Sequence, residues 1–440
     1  MGCERRDESG ERPRIVEAER RQLRWLTIDL ESSLPADHRA RVIWAAVERL
    51  DLSEFYDEIA ARGSAPGRPA IDPKILLALW LYAVSEGVGS ARQLSRLCER
   101  DDAYRWICGG IEPNHHTLSD FRVAHGEKLD ELLSQILAAL MSRGLVKLTR
   151  VAQDGMRVRA SAGAASFRRG SKLRGCLAAA QEQVAALKRE LEESAGASTA
   201  REKAAQERAA KEREERLARA LAELPKVARV YERNQKRASK GRRRKGSGGN
   251  TAEPRVSTTD PEARVMKMGD GGFRPAYNMQ FATDTVSRIV VGVAVTNAGS
   301  DSGQMVPMVD QIEQRMEQRP EQYLVDGGYT NLAAIDEMEG RKIEVYAPVP
   351  TPRREGVDAH ERKRDDTDLT AQWRARMGSE EAKEIYKERA ATAETVNADL
   401  RMWRGLRQVP VRGQTKVLSV TLLAALAYNI LRAAALGGLT

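Results

Sequence analysis

The chain has 440 residues, of which 41% are hydrophobic, 31% charged and only 5% aromatic; that length suits two or three domains, and that balance suits helices with charged faces. Lys and Arg number 72 against 63 Asp and Glu, a formal charge of +9, which favours a polyanionic partner. Cys3, Cys98, Cys108 and Cys176 have neither zinc-site pairing nor the density of a disulfide scaffold, so they read as reduced thiols in a cytoplasmic protein. The opening MGCERRDESGERPR lacks the apolar stretch of a secretion signal, and Arg6 stands where myristoylation needs Ser or Thr.

The first 145 residues read as helices. Asp72-Pro73 is an N-cap followed by a proline at the first helical position, with Ile75, Leu76, Leu79 and Trp80 as the apolar face. Gly87 and Gly89 end that helix, and Ser90 to Gln93 start the next over Leu94 and Leu97. Such a pair has the outline of a helix-turn-helix, but it reads more readily as plain packing, with only Arg92, Arg96 and Arg100 as a basic face. Thr117 is expected to cap a helix running to Arg143 and closed by Gly144. His115-His116 has no third ligand at metal spacing and reads as a loop or cap before that helix. Trp25, Trp44, Trp80 and Trp106 read as core residues rather than base-stacking ones.

Strand signals begin with Leu148 to Ala152, leading into Asp154-Gly155. The pattern then breaks for about a hundred residues. Leu177, Ala180, Val184, Leu187 and Leu191 follow a heptad seam, Ser194 to Ser198 is turn-like, and a charged helix is expected from Arg201 to Leu224. From Arg233 to Lys245 eight of thirteen residues are basic. That run, with Lys172 and Arg174, suits a DNA backbone as well as it suits a solvated loop.

Strands return at Tyr277 to Ala282, Arg288 to Val295, Tyr323 to Val325 and Ile343 to Ala347, with a helix from Ser302 to Arg319 and another capped by Asn331. The rest reads as one long helix over 380–407 and an apolar one from Gln414. Val417 to Ile430 carries Ser419, Thr421 and Asn429 and reads as a buried helix rather than a membrane span. Five strands mixed with helices describe an α/β domain with an insertion after its first strand.

Two acids share one context, an apolar strand ending in Asp-Gly: Asp154-Gly155 and Asp326-Gly327. Ligands gather beyond strand ends in α/β sheets, and the glycine is expected to let the backbone turn away from whatever the carboxylate holds. A pair of such carboxylates suits hard divalent cations and in-line phosphoryl displacement. Asp270-Gly271-Gly272 has no strand signal before it, and Asp260 and Asp284 read as cap and turn residues. A third acid comes from the helix at Glu394. At about 100° per residue Glu394, Asn397 and Arg401 share one face, whereas Arg389 falls about 140° away from Glu394.

Three blocks, VAQDGMRVRASAG, YLVDGGYTN and YKERAATAETVNADLRMWRGLRQVPVRGQTKV, resemble the DDE transposases of bacterial insertion sequences, in the branch with a Tyr-Arg-Glu-Lys signature. The stretch from Gly67 to Gly110 is similar to the helical DNA-binding domain these enzymes carry. The resemblance implies an RNase H-like mixed sheet flanked by helices, with Asp154, Asp326 and Glu394 as catalytic metal ligands. It also implies Mg²⁺, two ions with Mn²⁺ as a substitute, and Tyr386, Arg389 and Arg401 as DNA contacts. Hydrolysis at element ends, strand transfer into target DNA and a homodimer at synapsis follow from the same resemblance. Four residues separate Arg389 from Glu394 where the commoner pattern has three, Arg401 replaces a usual Lys, and Asn397 stands where an aromatic is common.

The expected organisation is therefore a helical DNA-binding domain over 20–145, a catalytic domain over 146–170 and 255–440, and a helical hairpin with a basic loop over 171–254. Arg242, Arg243, Arg244 and Lys245 of that loop are expected to contact double-stranded DNA in a cytoplasmic, nucleoid-associated protein. The competing functions are a metal-dependent nuclease that does not join, and an inactive DNA-binding repressor.

Overall fold

The computed structural model describes residues 29–62, 69–192, 197–241, 253–352 and 356–438. Seven helices open it: α1 (Arg39–Glu48), α2 (Ser53–Asp57), α3 (Pro73–Ser85), α4 (Ala91–Arg100), α5 (Asp102–Cys108), α6 (His115–Ala124) and α7 (Gly126–Ser142). The Asp72 side chain accepts from the Lys74 amide and Ser90 from the Gln93 amide, so both starts lie where the capping residues put them. Thr117 is not a cap. Asn114 takes that role, accepting from the His116 and Thr117 amides at 2.9 Å each, and the expected single helix is split at His125 into α6 and α7. His115 and His116 thus occupy the first turn of α6, ring against ring. Trp80 is fully buried, with its indole N–H on the Leu118 carbonyl, while Arg92, Arg96 and Arg100 line the exposed side of α4.

The first strand, β1 (Arg150–Arg159), is twice the expected length and carries Asp154 in its middle, not at its end. The insertion follows: a short strand β2 (Phe167–Arg169), the long helices α8 (Gly170–Glu192) and α9 (Ala197–Gly241), and β3 (Arg255–Ser257), which pairs antiparallel with β2. Leu173, Ala180, Leu217, Ala220, Val227 and Val256 form the hairpin's own apolar core. Helix α9 runs through Pro225, so the basic run is helical as far as Gly241. Arg242, Arg243, Arg244 and Lys245 lie outside the described residues.

The chain returns through β4 (Arg264–Lys267), β5 (Phe273–Asp284), β6 (Val290–Thr296), α10 (Met305–Met316), β7 (Gln322–Leu324), α11 (Leu332–Gly340) and β8 (Glu344–Tyr346). All five expected strands are present, joined by β4, whose alternation was too short to read. Strand β5 is antiparallel to β1 and pairs on its other side with both β4 and β6, while β7 is parallel to β1 and β8 to β7. The order β5-β1-β7-β8, with β4 and β6 outside β5, is a mixed sheet flanked by helices, the RNase H-like class.

Beyond the sheet lie α12 (Asp368–Gly378), α13 (Glu380–Arg389), a π-helical turn over Ala390–Glu394, α14 (Thr395–Met402) and α15 (Gln414–Ala435). The single helix expected over 380–407 is therefore three pieces. Helix α15 is long and apolar enough to cross a membrane, with a mean hydropathy of 1.7, yet 78% of its apolar window is buried inside the protein. It packs on α1, α3, α6 and α7 on one side and on β6 on the other. The N-terminal helices and the sheet consequently share one hydrophobic core. Its buried Asn429 both accepts from the Val290 amide (2.9 Å) and donates to the Val290 carbonyl (2.8 Å), which satisfies backbone groups of β6 that lack a further strand.

Candidate active site

The register of two parallel strands sets the geometry. Ala152 of β1 lies opposite Leu324 of β7, and Asp154 and Asp326 each follow two residues later. Adjacent strands are about 4.8 Å apart, so Asp154, within β1, and Asp326, two residues past the end of β7, leave neighbouring strands on the same side of the sheet's edge. Burial, with the like charge of Asp326 beside it, pushes the Asp154 carboxyl up to about 6, against the pull of Arg389, the Gly155 amide and Asn397. Asp154 Oδ1 accepts from the Gly155 amide at 2.9 Å and Oδ2 from Asn397 Nδ2 at 3.0 Å. Asp326 Oδ1 accepts from the Gly328 amide at 2.7 Å.

Only one of the two glycines does what the sequence suggested: Gly327 lies in the turn that follows β7. Gly155 sits inside a continuous strand and turns nothing. A Cβ there would lie 2.2 Å from Asp301 Oδ1, 2.5 Å from Gln280 Nε2 and 2.9 Å from Asn278 Oδ1. The bare backbone leaves room for a buried polar layer. Asn278 and Gln280 each donate to Asp301 Oδ1 at 2.7 Å, Gln153 donates to Gln280 at 2.9 Å, and the Tyr323 and Tyr329 hydroxyls donate to Gln153 and Gln280. Gly327 has open space around it, whereas a Cβ on Gly328 would meet Asp326 Oδ1 at 2.9 Å. Asp301, in a loop with no strand or helix signal, was invisible to sequence reasoning; it also faces Arg157 at 3.6 Å.

The third acid is carried by the π-turn. An α-helix would put Arg389 and Glu394 on different faces, but hydrogen bonds of the i→i+5 kind widen the turn and stack residues five apart. Arg389 Nη2 and Glu394 Oε1 are 2.7 Å apart, which corrects the expected divergence of the two. The Arg389 guanidinium loses by burial but gains from Tyr386, Asp154, Glu394 and Asp326, and its pKa rises above the ordinary arginine value. One cation thus lies within electrostatic reach of all three acids. The half-buried Tyr386 ring lies 5.8 Å from that guanidinium. Arg150 ties α13 to β1 through Glu388 and to β7 through Gln322.

Arg401 is engaged elsewhere, donating to the Arg157 carbonyl at 3.2 Å and so pinning α14 along β1. Asp260, expected as a cap or turn residue, is buried and accepts from the Tyr277 hydroxyl and the Gly413 amide at the start of α15. Asp284 does make a turn, accepting from Ser287, and Asp270 sits in the exposed β4–β5 turn. Cys98, Cys108 and Cys176 are free thiols.

Among the described residues no three or more His, Cys, Asp or Glu side chains are already gathered at metal-binding distances, and Glu394 is turned toward Arg389. The donor set nevertheless fits a hard divalent cation. It consists of oxygens, its two partly buried Asp carboxylates repel each other, and Asn397 Oδ1 is a buried acceptor with no hydrogen-bond partner among the described residues.

Residues 28–124 match a family model described as Transposase domain (DUF772), and residues 240–430 match one described as Transposase DDE domain. The second match contains Asp326 and Glu394 but begins after the inserted hairpin, so Asp154 joins the site through the sheet pairing alone. No curated protein and no solved structure gives a match. Two transposase matches spanning roughly two-thirds of the chain, over a mixed sheet with acids on its central strands, make it a DDE transposase, an enzyme of the DNA-cleaving and DNA-joining class that works with a divalent metal.

Proposed function

We propose that this transposase cuts the ends of an insertion sequence and joins them to target DNA with Asp154, Asp326 and Glu394 as its metal-holding carboxylates. Magnesium is the cation in this reading, as two ions, with manganese as a substitute. The observation that carries it is the parallel β1–β7 register that sets Asp154 beside Asp326, with the helix that bears the Arg389–Glu394 pair tied to Asp154 through Asn397. A bound divalent cation would supply Lewis acidity to the attacking and leaving oxygens of an in-line displacement. The chain's own residues do the rest. Asp154 and Asp326 present oxygens from adjacent strands, and Glu394 reaches the same space once Arg389 releases it. Arg389 and Tyr386 then face the DNA phosphate, to which a planar guanidinium binds in bidentate fashion.

Residues 20–145, with the arginine face of α4, and the basic run ending in Arg242, Arg243, Arg244 and Lys245 hold the element DNA, and Arg401 supports the strand beneath it. Pairing of two ends in a homodimer and a place at the nucleoid in the cytoplasm belong to the same reading, as does the Tyr-Arg-Glu-Lys branch. The test is labelled terminal DNA with Mg²⁺, scored for cleavage and strand transfer. Asp154→Asn, Asp326→Asn and Glu394→Gln are each expected to abolish both; full cleavage by any of them refutes its assignment. Cleavage without transfer would indicate a nuclease, and binding without either a repressor.

A further inference from the structure

Asn397 is the departure from the family pattern that the geometry explains best. It sits on α14 one turn beyond Glu394, with Val396 and Leu400 buried beside it, and is itself 9% exposed. An aliphatic or aromatic side chain would suit that apolar setting. Instead the amide turns its Nδ2 onto Asp154 Oδ2 at 3.0 Å and leaves Oδ1 buried with no hydrogen-bond partner among the described residues. Buried acceptors are rarely left unpaired, and an exception points to a group that arrives later.

We infer that Asn397 is part of the cation site: its Nδ2 fixes the Asp154 carboxylate, and its Oδ1 is a neutral oxygen ligand supplied by the helix that carries Glu394. Amide oxygens are ordinary ligands of hard divalent cations. A neutral donor adds coordination without adding to the like-charge repulsion between Asp154 and Asp326. The assignment rests on the carboxylate reading above but adds a ligand to it.

The experiment measures Mn²⁺ binding to the DNA-free, full-length chain by calorimetry, together with the water proton relaxation of the bound ion. Asn397→Leu is expected to weaken Mn²⁺ by about tenfold or more, the range seen when groups orienting a metal ligand are removed. It should also raise the relaxation as water replaces the lost oxygen. Asn397→Asp, which keeps an oxygen there and adds charge, is expected to bind Mn²⁺ more tightly than the wild type with unchanged relaxation. Unaltered affinity and relaxation in a folded Asn397→Leu protein would overturn the inference. Should that variant not fold, weaker or equal binding by Asn397→Asp overturns it instead. Asp154→Asn separates the two readings: if it binds Mn²⁺ like the wild type, the carboxylate assignment fails, whereas its loss beside a normal Asn397→Leu defeats only the role of Asn397.

Discussion

Arg389 and Glu394 form an ion pair at 2.7 Å across five positions of helix, an interval that only the π-turn over Ala390–Glu394 brings onto one face. A π-turn is a one-residue excess within a regular helix. Ala390 and Ala391, at its start, are both exposed. Deleting Ala391 should let α13 run into α14 with Arg389 and Glu394 four apart and still on one face. Cleavage within a few-fold of wild type and a melting temperature within a few degrees are expected. Deleting Ala398 instead would rotate Arg401 off the Arg157 carbonyl and is expected to abolish cleavage. Equal damage from both deletions would count against the π-turn as an absorbed residue.

A second expectation concerns pH. Burial first, then Asp326, raises the Asp154 carboxyl to about 6 from the ordinary 3.8, so the folded state holds this proton more tightly than the unfolded chain. Stability from this group is complete below pH 4 and is lost as the pH climbs through 6. In metal-free buffer Asp154→Asn should therefore stabilise the protein at pH 7.5 by up to roughly 3 kcal/mol, and hardly at all at pH 3.8. Urea unfolding at both values decides the matter; a difference that does not vary with pH would reject it.

Gly155→Ala should be damaging for reasons of space, since the added methyl would sit 2.2 Å from Asp301 Oδ1. Crowding of this kind costs about 1–3 kcal/mol. Gly163→Ala, where nothing lies within 4 Å, is the matched control. Thermal unfolding of the two variants should differ by several degrees, with loss of cleavage confined to Gly155→Ala.

Arg389 competes with any cation for the same acids. Arg389→Gln is expected to bind Mn²⁺ several-fold more tightly in the absence of DNA, because a fixed positive charge is gone from beside Asp154, Asp326 and Glu394. The same variant should bind terminal DNA more weakly. Calorimetry and a salt-matched mobility shift read the two effects, and weaker Mn²⁺ binding would contradict the competition.

Much of this architecture was legible because hydrophobic runs mark strands: Tyr323-Leu324-Val325 ends at Asp326 and reads as such. Asp154 was found by the same signal but misplaced, since Met156 and Val158 continue the strand on the same side as Asp154 and the glycine between them looked like a stop. The helix carrying Glu394 was legible too, but a fixed 100° per residue cannot represent a π-turn, so Arg389 was assigned to the wrong face. Asp301 could not be found by pattern at all, and periodicity put Asn397 on the face of Glu394 without revealing its contact with Asp154. Their importance comes from Gly155 and Asp154, 146 and 243 positions away, and only the folded sheet brings them together.

Helix α15 is wedged between the N-terminal helices and strand β6, and Asn429 stitches that strand's backbone to it. A ribosome must therefore translate through α15 before either half of the molecule can seal its interior. Polypeptides released before α15 would be left with a raw seam instead of a competent transposase, so unfinished copies should be proteolysed before they can nick a chromosome.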